Sequence, residues 1–208
     1  HVVGNALLGI LPELSARVGQ RKESDDEVVV LYAGRMAHEK GIDLLLEALG
    51  RIAALPWKLL AAGTGPEPFM QALAVKAESL GIADRISWEG YVGSLRPLLD
   101  RADVGVFPSV AKESFGLVLL EYMSAGLPIV ATDTGAQREL LRDGEEGLLA
   151  APDAEALAGA LARMISDRDF RKRASELSLK RYESHDYGVF LDRILPILLG
   201  SESGGLNP

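Results

Sequence analysis

Two glutamates and the glycine between them have the types and spacing of residues that could hold a ligand. Glu113 falls in a predicted loop, and Glu121 follows eight residues later on a predicted helix. Eight helical residues span about 12 Å, whereas two carboxyls that share one scissile bond stand roughly 5 to 9.5 Å apart. Gly116, where the helix starts, would let an anion approach free backbone N–H groups. The spacing favours an extended ligand with hydroxyls at both ends and negative charge between them; two solvated glutamates are the alternative.

Two cations and a pair of glycines extend this candidate site. Arg35 and Lys40 lie in the loop after the first predicted strand. An arginine fork and a lysine point charge could neutralise a diphosphate there, although two solvated loop cations would give the same pattern. Gly63 and Gly65 follow the next strand and leave room for a phosphate, but Pro68 stands where a dinucleotide fingerprint has its third glycine. Together these residues fit a nucleotide-sugar better than NAD.

Other chemistries lack the residues that they need. The phosphate-binding signature of ATPases does not occur, and no serine lies in a nucleophile elbow. Asp167 and Asp169 match a D-x-D metal motif, but they lie between two helical segments, so Asp167 is expected to cap a helix. The three histidines lack metal-ligand spacing, and we predict no metal site. Because the chain has no cysteine, disulfides and a cysteine nucleophile are excluded.

The composition is that of an ordinary globular domain. Of the 208 residues, 48% are hydrophobic and 25% are charged, which suits one well-cored domain. The formal net charge of −8 argues against nucleic acid as a partner, because nucleic-acid binding favours a basic face. No apolar run approaches the roughly 20 residues of a membrane span, and no signal peptide is visible. We therefore expect no membrane span and a cytoplasmic location.

Short apolar runs alternate with amphipathic segments along the chain. The runs predict strands at Val28–Ala33, Trp57–Ala62, Ile86–Glu89, Val104–Phe107, Ile129–Ala131 and Gly147–Ala150. The segments predict helices at Gly41–Ala54, Pro66–Leu80, Ser94–Ala102, Phe115–Ser124, Ala136–Arg142, Ala154–Ser166, Asp167–Ser184 and Tyr187–Leu199. Residues 19–27 form a predicted polar linker, and residues 201–208 a disordered tail.

Continuous apolar strands that alternate with helices indicate an α/β fold with a doubly wound parallel sheet of about six strands, followed by C-terminal helices. In such sheets ligands bind outside the carboxyl ends of the strands. The loops at that edge are 34–41, 63–67, 89–92 and 108–116, which carry most of the candidate residues.

The motifs taken together resemble the C-terminal half of the retaining, two-domain, B-type-fold glycosyltransferases known as group 1 or family 4. The resemblance runs from about His1 to His185 and rests on these segments: Gly34-Arg35, Glu39-Lys40-Gly41, Gly63-Thr64-Gly65-Pro66, Pro108-Ser109, Glu113-Ser114-Phe115-Gly116 with Glu121, and Ala125-Gly126-Leu127-Pro128-Ile129-Val130-Ala131-Thr132. The two glutamates match the E-x7-E motif of that family. The resemblance implies a Rossmann-like fold and the transfer of a sugar from a nucleotide donor.

The resemblance also implies a role for each matching residue. Arg35, Lys40 and Glu113 would be the catalytic residues, of which the two cations would hold the diphosphate and stabilise the leaving group. Glu121 would accept hydrogen bonds from the ribose hydroxyls. The donor site as a whole would consist of Gly34, Arg35, Lys40, Gly63, Gly65, Tyr91, Val92, Glu113, Ser114, Phe115, Gly116, Leu117 and Glu121. Within it, Tyr91 and Val92 would lie against the nucleobase.

In that family the sugar is transferred with retention, and no bound metal or other cofactor is needed. A UDP-sugar would be the expected donor, with GDP- and ADP-sugars as alternatives. Residues 1–200 would form the donor-binding domain, and its partner, an N-terminal domain that holds the acceptor, is absent from this chain. We therefore expect an excised domain that binds a nucleotide but transfers poorly. Peripheral membrane association of the full enzyme is compatible with this interpretation.

Two other functions are weighed against the transferase. One is a different enzyme on the same fold, such as a nucleotide-sugar epimerase or a phosphorylase; the latter needs a pyridoxal-phosphate lysine, for which only Lys40 is a candidate. The other is a non-catalytic nucleotide-binding module. The complete set of Arg35, Lys40, Glu113 and Glu121 argues against a module that has lost its activity, although fold alone cannot decide.

Overall fold

A parallel β-sheet with helices on both faces forms the domain. The computed structural model describes residues 27–111, 116–135 and 137–184. Its strands are β1 (Val28–Ala33), β2 (Trp57–Ala62), β3 (Ile86–Gly90), β4 (Val104–Phe107), β5 (Ile129–Thr132) and β6 (Gly147–Ala150). Its helices are α1 (Ile42–Arg51), α2 (Glu67–Ser79), α3 (Arg96–Leu99), α4 (Leu117–Ser124), α5 (Gln137–Leu140), α6 (Ala154–Ser166) and α7 (Arg168–Ser184).

The described strands pair in the order β3-β2-β1-β4-β5-β6, and every pairing is parallel. The first described strand therefore lies in the middle of the sheet, and the strands that follow run to one edge and then build the other half. This is the order of the doubly wound dinucleotide-binding folds, in which the ligand crevice opens where the direction of winding changes. Here that switch point lies between β1 and β4.

Alternate residues of the strands enter the two hydrophobic cores that flank the sheet, except in the edge strand β3, which packs against the first core alone. Val30 and Tyr32 of β1 pack with α1, α2 and α6 on one face, whereas Leu31 packs with α3 and α4 on the other. Helix α7 reaches both cores, because Phe170 lies in the first and Tyr182 packs against the second. Both faces of most strands are thus buried, which explains why their sequences are continuous apolar runs, whereas the edge strand β3 is only partly buried.

The predicted strands are confirmed almost residue for residue, and the helices mainly differ at their ends. The predicted helix Gly41–Ala54 stops at Arg51, and Ser94–Ala102 shrinks to the single turn of α3, where the Ser94 hydroxyl accepts a 3.2 Å hydrogen bond from the Arg96 N–H. Asp167 caps α7 as expected, since its carboxylate accepts from the Phe170 N–H at 2.9 Å. The polar linker up to residue 26, the predicted helix Tyr187–Leu199 and the predicted tail lie outside the described residues.

Candidate functional site

An open pocket lies at the carboxyl edge of the sheet, beside the switch point. Its empty volume, which includes open solvent, is about 390 Å³. The ends of β1 and β2, the loop after β3 and one side of α4 line it, through residues Ala33, Gly34, Ala62, Gly63, Val92, Gly93, Ser94, Leu95, Val118 and Glu121. Glu121 is the one ionisable side chain among these lining residues.

Glu121 is buried in this pocket, and no described residue forms a hydrogen bond with its carboxylate. Its exposure is 1%, and neither carboxylate oxygen has a hydrogen-bond partner among the described residues. Burial in this uncharged environment raises the pKa of Glu121 from 4.5 to about 7. The interpretation of Glu121 as a solvated helix residue is therefore wrong. A buried carboxyl without a partner is costly, so its presence in a pocket points to a ligand that donates hydrogen bonds.

Packing between α4 and the sheet fixes the position of Glu121. The ring of the next residue, Tyr122, lies so close to Gly105 of β4 that a Cβ atom there would come within 2.4 Å of it. The Tyr122 hydroxyl then donates a 3.1 Å hydrogen bond to the carbonyl of Leu31 in β1. The Tyr122 ring thus contacts both strands at the switch point, β1 and β4. Because this packing fixes helix α4 on the sheet, it also fixes the position of the Glu121 side chain.

The loops after β1 and β2 form one side of the site and lie in close backbone contact. Gly34 and Met36 donate hydrogen bonds of 3.0 and 2.9 Å to the carbonyls of Ala62 and Thr64. A Cβ atom on Gly63, whose φ is +138°, would stand 1.8 Å from the Gly34 carbonyl oxygen. Only glycine permits this approach, so the glycine pair brings the two loops together.

The predicted phosphate-binding cations lie in the loop that continues from Gly34. The Arg35 side chain is 63% exposed and forms an ion pair of 2.7 Å with Glu39. The backbone of Arg35 is fixed by the buried Tyr32, whose hydroxyl donates a 2.8 Å hydrogen bond to the Arg35 carbonyl. Lys40 is half-buried and closes the 3-10 turn His38–Lys40, in which its N–H donates to Ala37 at 3.0 Å.

The loop after β4 is bound to this same turn. The carbonyl of Glu39 accepts hydrogen bonds from the Ser109 hydroxyl at 3.0 Å and from the N–H groups of Val110 and Ala111 at 3.1 and 3.3 Å. The segment that leads toward Glu113 is therefore anchored beside Arg35 and Lys40. Helix α4 starts two residues later than predicted, at Leu117, with Gly116 as its N-terminal cap residue.

Some of the predicted donor-site residues line the pocket and others do not. Gly34, Gly63, Val92 and Glu121 do. The remaining predicted residues within the described ranges lie outside the lining: Arg35, Lys40, Gly65, Tyr91, Gly116 and Leu117. The Tyr91 side chain is 61% exposed, and its expected position against a nucleobase stays a prediction. Glu113, Ser114 and Phe115 lie outside the described residues. The predicted separation between Glu113 and Glu121 is therefore not tested.

Several lining residues were missed by the sequence analysis. Ala33 and Ala62 are the last residues of β1 and β2, so the rule that ligands bind at the carboxyl ends of strands could have identified them. Val118 precedes Glu121 by one helical turn and shares its face. Ser94 and Leu95 carry no signal in the sequence, because a serine and a leucine in a loop after a strand are common.

Two negative findings concern the described residues alone. None of their His, Asp and Glu side chains form a group of three that could hold a metal ion. None of their helices is long and apolar enough to cross a membrane. The predicted lack of a metal requirement is not tested by either finding.

The chain has a doubly wound α/β fold with an open pocket at its switch point, the position at which such folds bind their ligands. Within this class of fold the family is clear, because the family model for glycosyl transferases group 1 matches residues 27–167. The chain belongs to this family.

Three similar proteins illustrate the relationship. The phosphatidyl-myo-inositol mannosyltransferase of Mycobacterium leprae is 33% identical over 174 residues, which cover 81% of this chain but 45% of that protein. The crystal structure of Anabaena Alr3699/HepE in complex with UDP and glucose has a TM-score of 0.76 at 23% identity, covering 91% of this chain and 52% of that one. The C-terminal domain of the group 1 glycosyl transferase LpcC of Francisella tularensis has a TM-score of 0.72 at 22% identity, covering 88% of this chain and 98% of that one. This chain thus spans less than half of the mannosyltransferase and nearly all of the isolated LpcC domain.

Proposed function

We propose that this chain is the nucleotide-sugar-binding domain of a retaining, metal-independent glycosyltransferase. The observation that carries the proposal is the buried, partnerless carboxyl of Glu121 in a pocket at the switch point of a group 1 glycosyltransferase fold. A ribose supplies two adjacent hydroxyls that can donate to the two carboxylate oxygens. The pocket between Gly34, Gly63 and Val92 would then hold the nucleoside.

The rest of the donor extends from this pocket along the loop after β1. The diphosphate would lie by Arg35, which binds it bidentately, and Lys40, which adds a point charge. To bind the diphosphate, Arg35 must give up its exposed ion pair with Glu39. This costs little free energy because ion pairs on the surface are weak. The transferred sugar would lie toward Glu113, in the segment that follows the anchored residues 108–111.

The reaction breaks the bond between C1 of the sugar and the diphosphate oxygen, and forms a bond between C1 and an acceptor hydroxyl, whose proton passes to the leaving diphosphate and from there to the solvent. The nucleoside diphosphate leaves with the electron pair of the broken bond. Positive charge fixed at Arg35 and Lys40 stabilises the negative charge that develops on this leaving group. Because these two side chains supply the charge, we propose that no metal ion is required.

The acceptor and the second domain belong to the same proposal. We propose that a second domain holds the acceptor, so that this chain alone binds the donor and transfers poorly. A hexose on UDP is the expected donor, with GDP and ADP as the alternative nucleotides. A cytoplasmic location stays a prediction, as does the retention of configuration.

Calorimetric titration of the chain with UDP, GDP and ADP, first without metal and then with Mg²⁺, tests this proposal. We expect one nucleotide to bind with one site and with an affinity that Mg²⁺ leaves unchanged. Binding that appears only with Mg²⁺ would contradict metal independence. No binding of any of the three would contradict the assignment of the pocket.

A further inference from the structure

Glu121 is the one ionisable side chain among the described residues that line the pocket. The other lining residues are apolar, glycine or serine. A carboxylate in such a place lacks a counter-ion, and its two oxygens accept no hydrogen bond from the described residues. The neutral, protonated form is therefore favoured until something enters the pocket that stabilises the charge.

The elements packed around Glu121 do not supply that charge. Strands β4 and β5, on which α4 packs, have no ionisable side chain. On α7, the buried Arg171 donates to the carbonyls of Met164 and Ile165, and Arg181 donates to Leu140 and faces the buried carboxylate of Glu146. The remaining charged residues of α7 are exposed. Other ionisable groups on the surrounding elements and loops include Tyr32, Tyr122, Tyr182, the exposed Tyr91, and the ion pairs Lys58–Glu27, Arg96–Asp100, Arg101–Glu89 and Arg35–Glu39. The raised pKa of Glu121, about 7, is accordingly due to burial.

We propose that the sugar nucleotide binds to this pocket with release of the Glu121 proton, so that the affinity for the donor rises with pH through neutrality. The inference rests on the proposed function. In the empty pocket the protonated carboxyl predominates below neutral pH. When a pair of adjacent hydroxyls donates to both carboxylate oxygens, these charge-assisted bonds favour the ionised form, and the proton passes to the solvent.

The linkage has a defined size and direction. Glu121 titrates near neutrality when the pocket is empty and well below neutrality when a sugar nucleotide fills it. The association constant of the sugar nucleotide then rises about tenfold from pH 6 to pH 8 and becomes constant at higher pH. Close to one proton is released for each ligand bound at pH 6, about half a proton at pH 7, and almost none at pH 8. A carboxylate that was already ionised would give a flat profile.

Calorimetric titration with sugar nucleotides measures both quantities. UDP-glucose, GDP-mannose and ADP-glucose are the probes, because each of their two phosphates has one ester and one anhydride link and keeps no proton that titrates near neutrality. The terminal phosphate of a free nucleotide, in contrast, titrates near pH 6 and would mask the effect. Titrations at pH 6, 7 and 8, each in a buffer of low and a buffer of high ionisation enthalpy, give the affinity and the number of protons released.

Two variants test whether the released proton comes from Glu121. In Glu121→Gln the side chain keeps its shape and one acceptor oxygen but cannot ionise, so binding should be weaker at pH 8 and should show neither pH dependence nor proton release. Glu78→Gln is the matched control, because it makes the same change of formal charge on the exposed face of α2, away from the pocket. It should bind as the unmodified chain does at each pH.

The possible failures can be told apart. Binding that is independent of pH and releases no proton would overturn the inference and leave the proposed function standing. Proton release that persists in Glu121→Gln would overturn the assignment to this residue. If none of the three sugar nucleotides binds at any pH, the proposed function fails and the inference fails with it.

Discussion

Replacing Glu121 with glutamine should change how the stability of the chain depends on pH, even without a ligand. Burial raises the pKa of Glu121 in the folded chain from 4.5 to about 7. Between these two values the folded chain keeps a proton that the unfolded chain loses, so the free energy of unfolding falls as pH rises. The contribution is fully present below pH 4.5 and is lost once pH rises through about 7. Glutamine has no such proton.

The magnitude follows from the size of the change in pKa. A pKa raised from 4.5 to about 7 corresponds to about 3 kcal/mol, of which about 2.5 kcal/mol is lost between pH 5 and pH 8. Since Glu121 is 1% exposed, solvent screening does not reduce this figure. For a domain of this size, about 2 to 4 °C of melting temperature correspond to 1 kcal/mol, so the change amounts to about 5 to 10 °C.

Urea unfolding and thermal melting at pH 5, 6, 7 and 8 measure this effect. Other carboxylates also titrate, so the quantity to compare is the stability of Glu121→Gln minus that of the unmodified chain. We expect this difference to rise by about 2.5 kcal/mol from pH 5 to pH 8. The exposed Glu78→Gln variant should follow the unmodified chain at each pH. A difference that stays constant across this range would refute the argument that Glu121 is buried without a partner.

Three further substitutions test other parts of the account. Arg35→Ala should weaken the binding of UDP by about 1.5 to 3 kcal/mol, the contribution of a charge-assisted hydrogen bond, and leave uridine binding unchanged in the same calorimetric assay; unchanged UDP affinity would contradict the diphosphate role. Tyr32→Phe removes the hydroxyl that donates to the Arg35 carbonyl and should weaken UDP binding by about 1 kcal/mol with uridine again unaffected, whereas an equal loss for both ligands would indicate general damage to the fold. Gly63→Ala should destabilise the chain by about 1 to 3 kcal/mol in urea unfolding, because the new Cβ atom would meet the Gly34 carbonyl. Its control is Gly159→Ala on the exposed side of α6, where a Cβ atom meets nothing within 4 Å; helix propensity should make that variant more stable by about 0.5 to 1 kcal/mol, and a Gly63→Ala variant of unchanged stability would contradict the close loop contact.

The sequence is sufficient to locate the strands, most of which are short apolar runs that end at a glycine, a proline or a polar residue. The run 104–107 is an example, since it stops at Pro108 and is β4 in the structure. The order of strands in the sheet could not be predicted from this pattern. The pairing of β1 with β4 joins residues more than 70 positions apart, and nothing in either run specifies its neighbour.

Parts of the candidate site could be predicted from the type of a residue and its place after a strand or an apolar run. Gly63 was identified because a glycine after a strand leaves room for a phosphate, whereas in the structure its close approach to the Gly34 carbonyl is what requires a glycine. Glu121 was identified because a charged residue directly follows a run of apolar ones, but its complete burial depends on the Tyr122 ring packing against Gly105. Such a contact joins α4 to β4 and cannot be derived from local patterns.

The central claim is that a nucleotide occupies the pocket at the switch point with its ribose on Glu121. A crystal structure of this chain with the nucleotide that calorimetry selects would test it most directly. The account predicts both ribose hydroxyls within hydrogen-bonding distance of the Glu121 carboxylate, and the diphosphate next to Arg35 and Lys40. A nucleotide bound elsewhere, or a ribose that leaves the Glu121 oxygens without a partner, would contradict it.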